Sequence, residues 1–346
     1  MQYRPLGRTG IDVSRICLGT MTFGEQNTPD QSFALMDQAV EGGVNFFDTA
    51  EMYAVPARPE TQGRSEEIMG DWMQARGNRD KIIVATKITG PGESFKHVRG
   101  GDLGFGATQI DIAVEQSLKR LKTDYIDLYQ LHWPERPTFA FGQLDYKHVD
   151  DDSWTPFEDV LAALSKHIDA GRIRAVGCSN ESPWGLMKMI GIADAAGLPR
   201  MASIQNSYNL INRVFEIGLA EAAIREDCGL LAYSPLAFGT LSGKYLGGAR
   251  PAGARLTLFP QYGRYVKPMA VEATGKYIEI AKRHGLDPAQ MSLSFVNDRD
   301  FLTSNIIGAT TSEQLASNLA SDGLVLSDDV MAEIDSVHMG CPNPAP

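Results

Sequence analysis

The sequence predicts an α/β fold, a (β/α)8 TIM barrel, from three observations. Short apolar runs of β type recur eight times along the chain, and stretches with helical spacing separate them. Strands alternating with helices form parallel βαβ units, and eight such units in one chain suit a closed barrel better than two doubly wound sheets. The length of 346 residues exceeds the ~250 usual for such a barrel. The surplus falls in stretches 54–63, 134–155 and 239–269, which read as long rim loops. One domain spanning residues 1–346 is therefore expected, although ~150 residues per domain would allow two.

Taken in order, the first segments are Gln2–Leu6 and Ile11–Ser14, flanking Gly7 and Gly10. They suit an N-terminal β-hairpin covering the barrel bottom. The eight strand runs follow at Ile16–Leu18, Asn45–Phe47, Ile82–Thr86, Ile126–Gln130, Ala175–Cys178, Ser203–Gln205, Gly229–Tyr233 and Asn305–Ile307. Between them, sets such as Leu35, Met36, Ala39 or Leu161, Leu164, Ile168 mark apolar helix faces. Thr28-Pro29-Asp30-Gln31 and Thr155-Pro156-Phe157-Glu158 both read as capping boxes with proline at the first helical position. Ser182-Pro183 is a similar start, while Gly42, Gly171 and Gly197 read as stops. Ser327–Val337 reads as an extra C-terminal helix outside the repeat.

Composition narrows the function classes. Asp and Glu number 43 against 32 Lys and Arg, a formal net charge of −11. Such a chain has no electrostatic footprint for nucleic acid and no basic patch for an anionic membrane. Any anionic ligand must be held by a few placed cations and backbone amides. Cys17, Cys178, Cys228 and Cys341 are widely spread, without a CxxC pair or compact metal-ligand spacing, so no metal is expected. The first residues lack the apolar core of a signal peptide, and no apolar run is long enough to span a bilayer. A reduced, cytoplasmic protein is expected.

Active sites of such barrels form where the strands end at their C-termini. The residues there include Gly19-Thr20, Asp48, Lys87, His132, Ser179-Asn180, Gln205, Tyr233-Ser234 and Gly308-Thr310. The second, third and fourth strand runs thus supply an acid, a lysine and a histidine in turn, and Tyr53 follows Asp48 within one short loop. A lysine ammonium beside a tyrosine favours phenolate and lowers the phenol pKa. An aspartate fixes the ammonium, and a neutral histidine orients a substrate oxygen. The set suits a general acid that protonates a carbonyl oxygen.

These residues belong to segments that resemble the aldo-keto reductase family. GTMTFGE, FFDTAEMY, RSEEIMG, IVATKI, YIDLYQLHWP, IRAVGCSN, IQNSYNLINR, LLAYSPLAFGTLSGKY and IIGATTSEQLASN stand in family order. AEMYAVPARPETQG, PAGAR and HGLDPAQM look most like its bacterial Tas-like group. The resemblance implies NADPH-dependent reduction of a small-molecule aldehyde or ketone, with Asp48, Tyr53, Lys87 and His132 as the catalytic tetrad. It implies cofactor contacts at Gly19, Thr20, Met21 and Asp48, and a nicotinamide cradle from Ser179, Asn180, Gln205 and Tyr233. Ser234, Pro235, Leu236, Ala237, Phe238, Gly239, Leu241 and Lys244 would wrap the pyrophosphate. Arg255, with Gly308, Thr310, Gln314 and Asn318, would form the adenosine end, and the 2′-phosphate would meet Arg255 and the helix start at Ser312. Ser317 departs from the glutamate the family often places there.

Phe23, Tyr53, His132 and Trp133 are expected to line the substrate pocket. Two rival readings are weighed: a non-catalytic NADP-binding regulatory barrel resembling potassium-channel β subunits, and a metal-dependent barrel hydrolase. The intact tetrad speaks against the first. The second needs clustered ligands at several strand ends, where only His132 qualifies.

Overall fold

Strands whose alternate residues are apolar can bury one face inside a closed cylinder and the other beneath a ring of helices. That is the architecture of the computed structural model, which describes residues 1–138 and 141–346. The chain runs β1 (Tyr3–Pro5), β2 (Asp12–Ser14), β3 (Ile16–Gly19), α1 (Pro29–Glu41), β4 (Phe46–Asp48), α2 (Arg64–Arg76), β5 (Ile83–Ile88) and α3 (Ala107–Leu121). It continues with β6 (Ile126–Leu131), α4 (Phe157–Asp169), β7 (Ile173–Ser179), α5 (Pro183–Ala196), β8 (Met201–Ser207), α6 (Leu219–Arg225) and β9 (Gly229–Tyr233). Last come α7 (Arg255–Leu258), α8 (Pro268–Arg283), α9 (Pro288–Asn297), β10 (Leu302–Ile307), α10 (Ser312–Ala320) and α11 (Asp328–Gly340).

Strands β3 to β10 close into one parallel barrel in sequence order, with β10 pairing back onto β3. All eight expected runs lie within or overlap these strands. The antiparallel hairpin β1–β2 stands apart, in the register Tyr3↔Ser14. It contributes Leu6, Ile11 and Val13 to a buried cluster with Cys17, Phe46, Ala85, Leu128, Ala202 and Leu231. Those partners sit on the barrel strands, so the hairpin plugs the end opposite the strand C-termini. Gly7 makes this approach possible. Its φ is +54°, and an added β-carbon would lie 2.6 Å from the carbonyl oxygen of Ala202.

The outer layer forms from the helical apolar faces. Leu35, Met36 and Ala39 of α1, Ile110 and Val114 of α3, and Leu161 and Leu164 of α4 are all buried in the larger core between helices and barrel. Each such Leu, Ile, Val or Met side chain contributes about 1.5–3 kcal/mol by leaving water. The capping box at α1 is present: Gln31 N–H donates to the Thr28 hydroxyl, and Thr28 N–H donates to the Gln31 side chain. Ser182 caps α5, and Gly197 ends it in a left-handed conformation. The box expected at Thr155 is absent. The N-cap of α4 is Pro156, and the Thr155 hydroxyl donates instead to Glu135, a carboxylate outside the helix. Helix α11 is present, capped by Ser327, and extends to Gly340. Positions 139 and 140 of the expected 134–155 loop fall outside the described residues. No helix among the described residues is long and apolar enough to cross a membrane.

Candidate active site

The C-terminal ends of β4, β5, β6 and β8 place their inward side chains in one polar layer above the apolar barrel interior. Asp48 ends β4, and Lys87 on β5 pairs in register with Gln130 on β6. Gly177 on β7 stands opposite Gln130. A β-carbon there would crowd the Ser203 hydroxyl at 2.8 Å and Gln130 Cγ at 3.4 Å, so glycine leaves room for the amide.

Lys87 Nζ donates to Asp48 Oδ1 at 2.5 Å, to the Thr49 carbonyl at 2.8 Å and to the Tyr53 hydroxyl at 3.5 Å. The other Asp48 oxygen accepts from Gln205 Nε2 at 2.8 Å and from Gln130 Nε2 at 3.2 Å. Gln205 Nε2 also donates to Gln130 Oε1 at 3.0 Å. Asp48 is therefore fully engaged. Its three convergent donors fix the buried carboxylate, which in turn holds the ammonium in place.

Burial alone would lower the Lys87 pKa, but Asp48 and the Tyr53 oxygen more than offset it and raise the value, so the side chain stays charged. The sequence reading expects a lowered phenol pKa at Tyr53, and the structure corrects its sign. Desolvation of the phenol raises its pKa by more than Lys87 lowers it. Tyr53 is thus a protonated phenol at neutral pH that carries a stabilising cation beside its oxygen. His132 lies edge-on to the Tyr53 ring, with centroids 5.7 Å apart. Burial and the Lys87 charge hold its imidazole well below the ordinary value, which keeps it neutral.

The other predicted positions form a continuous rim. The Ser179 hydroxyl donates to the Gln205 carbonyl at 2.7 Å, and Asn180 Nδ2 donates to the His132 carbonyl at 2.9 Å. Asn180 has a positive φ of 54°, and its Oδ1 accepts from the Tyr233 hydroxyl at 2.6 Å. Burial pushes that phenol up to about 12. After β9 the backbone takes positive φ at Ser234, Ala237, Phe238 and Gly239, coiling the segment back on itself. A β-carbon on Gly239 would run into the Lys244 side chain.

Arg255 lies with its guanidinium 5.0 Å from the Phe238 ring centroid and donates to Met21 Sδ. The Met21 loop bridges this segment to the far rim, through Gln26 Nε2 to the Gly253 carbonyl and Asn27 Nδ2 to the Thr310 carbonyl. There Thr310 donates to Gln314, and Asn318 Nδ2 donates to the Gly308 carbonyl. Ser317 accepts from Gln290.

The pocket residues divide. Trp133 packs 4.7 Å from the His132 ring and 5.0 Å from Phe95, measured between centroids. Phe23 is fully buried in the core between barrel and helices, so it does not line an open wall. The loop that carries it turns inward there, and this large aromatic is buried where the substrate-pocket expectation required exposure.

With this geometry in hand, comparison with known proteins is decisive. A profile of the Aldo/keto reductase family matches residues 15–338. The chain belongs to that family. It is 49% identical over 346 residues to Protein tas of Escherichia coli (strain K12), covering 100% of both chains. It is 31% identical to the oxidoreductase YrpG of Bacillus subtilis (strain 168), over 98% of this chain and 97% of the relative. The L-glyceraldehyde 3-phosphate reductase of E. coli (strain K12) is 31% identical over 97% of this chain and 92% of its own. Family membership makes the chain an oxidoreductase related to reductases of small-molecule carbonyls.

The residues fit the dinucleotide that the family uses. Lys244 and Arg255 have no carboxylate within ion-pair distance among the described residues, in a chain with an excess of acids. Burial lowers both of their pKa values, and the Arg255 charge lowers Lys244 further. Two neighbouring, desolvated cations without a counter-ion suit an anionic ligand.

Gln130 is the site residue that sequence reasoning misses. The available signal was the two-residue period of a strand, which places Gln130 on the same inward face as Leu128.

Proposed function

We propose that this chain is an NADPH-dependent carbonyl reductase in which Tyr53 donates the proton. The observation that carries the reading is the single buried ammonium of Lys87, within hydrogen-bond reach of both the Asp48 carboxylate and the Tyr53 hydroxyl. Lys244, Arg255 and the coiled segment from Ser234 to Gly239 would hold the phosphates. Tyr233, Asn180 and Ser179 would flank the nicotinamide. When bound, the dinucleotide supplies hydride to the carbonyl carbon.

The chain's own residues do the rest. As charge develops on the carbonyl oxygen, Tyr53 transfers its phenolic proton to it, and Lys87 stabilises the phenolate left behind. Asp48, held by Gln130 and Gln205, keeps Lys87 charged and fixed. Neutral His132 hydrogen-bonds the same oxygen and orients it. Trp133 forms an apolar wall beside it.

The 2′-phosphate preference rests on Arg255, whose planar fork matches a phosphate dianion. The test is consumption of NADPH with 4-nitrobenzaldehyde. Turnover is expected, with NADH a poorer donor. No turnover across a broad aldehyde and ketone panel would sink the enzyme reading and leave a nucleotide-binding barrel.

A further inference from the structure

Glu51 lies between Asp48 and Tyr53 on the loop after β4, and its side chain is completely buried against that of Arg99. No ion pair among the described residues is more deeply buried. Arg99 belongs to the segment after β5, the strand that carries Lys87, and has a positive φ of 47°. Two elements, each bearing one member of the tetrad, are therefore joined by this pair.

The connections are specific. Glu51 Oε1 accepts from Arg99 Nε at 3.3 Å and from the Thr89 N–H at 2.6 Å. Arg99 Nη2 donates to the Thr89 carbonyl at 2.6 Å, so the pair engages both backbone groups of Thr89. The Glu51 N–H donates to the Lys87 carbonyl at 3.2 Å, and Gln62 Nε2 donates to the Glu51 carbonyl at 2.7 Å. Arg99 Nη1 extends the link to Gln109 on α3 at 3.0 Å. Around this polar knot, Ala50 and Met52 of one loop pack with Val98 and Leu103 of the other, and Tyr53 packs against the cluster.

We propose that the Glu51–Arg99 pair is a positioning strut for the proton donor, clamping the Tyr53 loop to the end of β5 and so setting the Tyr53–Lys87 separation. The inference rests on the reading of Tyr53 as proton donor. A buried ion pair can often be replaced by apolar residues of similar volume without loss of stability. Stability alone therefore does not explain why two charges are placed here. Geometry does, since a displacement of ~1 Å at a reacting group can cost on the order of 10²-fold in rate.

The deciding variant is Glu51→Leu/Arg99→Met in the full chain, which removes both charges and keeps the core filled. It is expected to unfold cooperatively. In its crystal structure Tyr53 Oη should lie outside hydrogen-bond reach of Lys87 Nζ. Its kcat for 4-nitrobenzaldehyde should fall roughly 10²-fold, with the KM for NADPH unchanged and a larger solvent deuterium isotope effect on kcat. Glu51→Gln keeps an acceptor for Thr89 and Arg99, and should retain most of the turnover. A double variant with Tyr53 in place and an unaltered kcat overturns the proposal, because the pair then only fills the core.

Should that variant fail to fold, Arg99→Lys decides. It keeps the charge but cannot span Glu51, Thr89 and Gln109 together. A partial fall in kcat at constant KM is expected, and an unchanged kcat overturns the strut. If the unsubstituted chain reduces no carbonyl, the functional reading fails separately. The Tyr53–Lys87 distance in the variant structure then still decides the strut.

Discussion

Lys87 Nζ and Asp48 Oδ1 lie 2.5 Å apart, with both side chains withdrawn from solvent. The same ammonium reaches the Tyr53 hydroxyl at 3.5 Å, so one charge serves two acceptors. Removing it with Lys87→Met should abolish carbonyl reduction. It should also cost about 3–5 kcal/mol of stability, because Asp48 is left buried without its counter-charge. The second substitution Asp48→Asn on that background should recover much of the stability and none of the turnover. Urea denaturation and steady-state kinetics on the three proteins check this. A stable, active Lys87→Met protein contradicts the arrangement.

Tyr53→Phe keeps the ring and deletes only the hydroxyl. The kcat should fall by about 10²–10⁴-fold, the usual contribution of a positioned general acid, while NADPH affinity is unchanged. The pH profile follows from the sign of the shift. Burial holds the Tyr53 pKa above the ordinary phenol value of 10.0, despite the opposing pull of Lys87. The acid is therefore protonated throughout the neutral range. Reduction should show no loss assignable to Tyr53 until strongly alkaline pH, and a tyrosine-dependent limb near neutrality would contradict the burial of the phenol.

His132 makes a prediction about stability. Its folded pKa is depressed well below 6.5 by burial first and by Lys87 second. Between that lowered value and 6.5 the unfolded chain binds a proton that the folded chain does not. Stability from this group is thus fully present above pH 6.5 and is lost as pH falls through the unfolded value toward the folded one. Within that window the slope is at most about 1.4 kcal/mol per pH unit. His132→Asn should flatten the unfolding free energy below pH 6.5 and leave its pH dependence above 6.5 unchanged. Denaturation series of both proteins from acid to neutral pH measure the difference.

Arg255 is tested by ligand discrimination. Arg255→Met keeps an apolar stem against Phe238 while removing the cation. Loss of a charge-assisted hydrogen bond of about 1.5–3 kcal/mol should weaken NADPH binding by roughly one to two orders of magnitude. NADH should be little affected. The gap between the two nucleotides should also narrow with added salt in the unsubstituted protein. Fluorescence titrations give all four affinities, and equal loss for both nucleotides removes Arg255 as the reader of the 2′-phosphate.

What could be read from the sequence, and what could not, divides along physical lines. Strand ends are legible because apolar runs stop abruptly at Asp48, Lys87 and His132, and a closed parallel barrel brings all such ends to one rim. The hairpin at Gly7 and the cap at Thr28 are local chemistry, and they too are legible. The partner of Glu51 is not. Arg99 lies in an irregular, partly left-handed segment with no period to predict where its side chain points. Phe23 fails for a related reason, since a loop aromatic reads the same in sequence whether it faces the mouth or the core. The sign of the Tyr53 shift depends on a balance between desolvation and one cation, which only coordinates reveal.

Gln130 links Asp48 to Gln205 within the polar layer. It was hidden in an apolar-looking run, yet its amide donates to Asp48 and accepts from Gln205. Gln130→Met preserves volume but removes both interactions. Asp48 then loses one of its three donor contacts, and Gln205 loses the acceptor that orients its amide. The cost to stability should be about 1–3 kcal/mol, the usual penalty when one partner of a buried polar pair is deleted. The effect on kcat should be smaller than that of Lys87→Met, because Lys87 and Gln205 still hold the carboxylate. Nucleotide affinity should fall in parallel if Gln205, once released, no longer presents its side chain to the nicotinamide. Thermal unfolding, kcat and NADPH titration on the same preparation separate these effects. A Gln130→Met protein that matches its parent in all three would show that Asp48 is fixed by Lys87 and Gln205 alone.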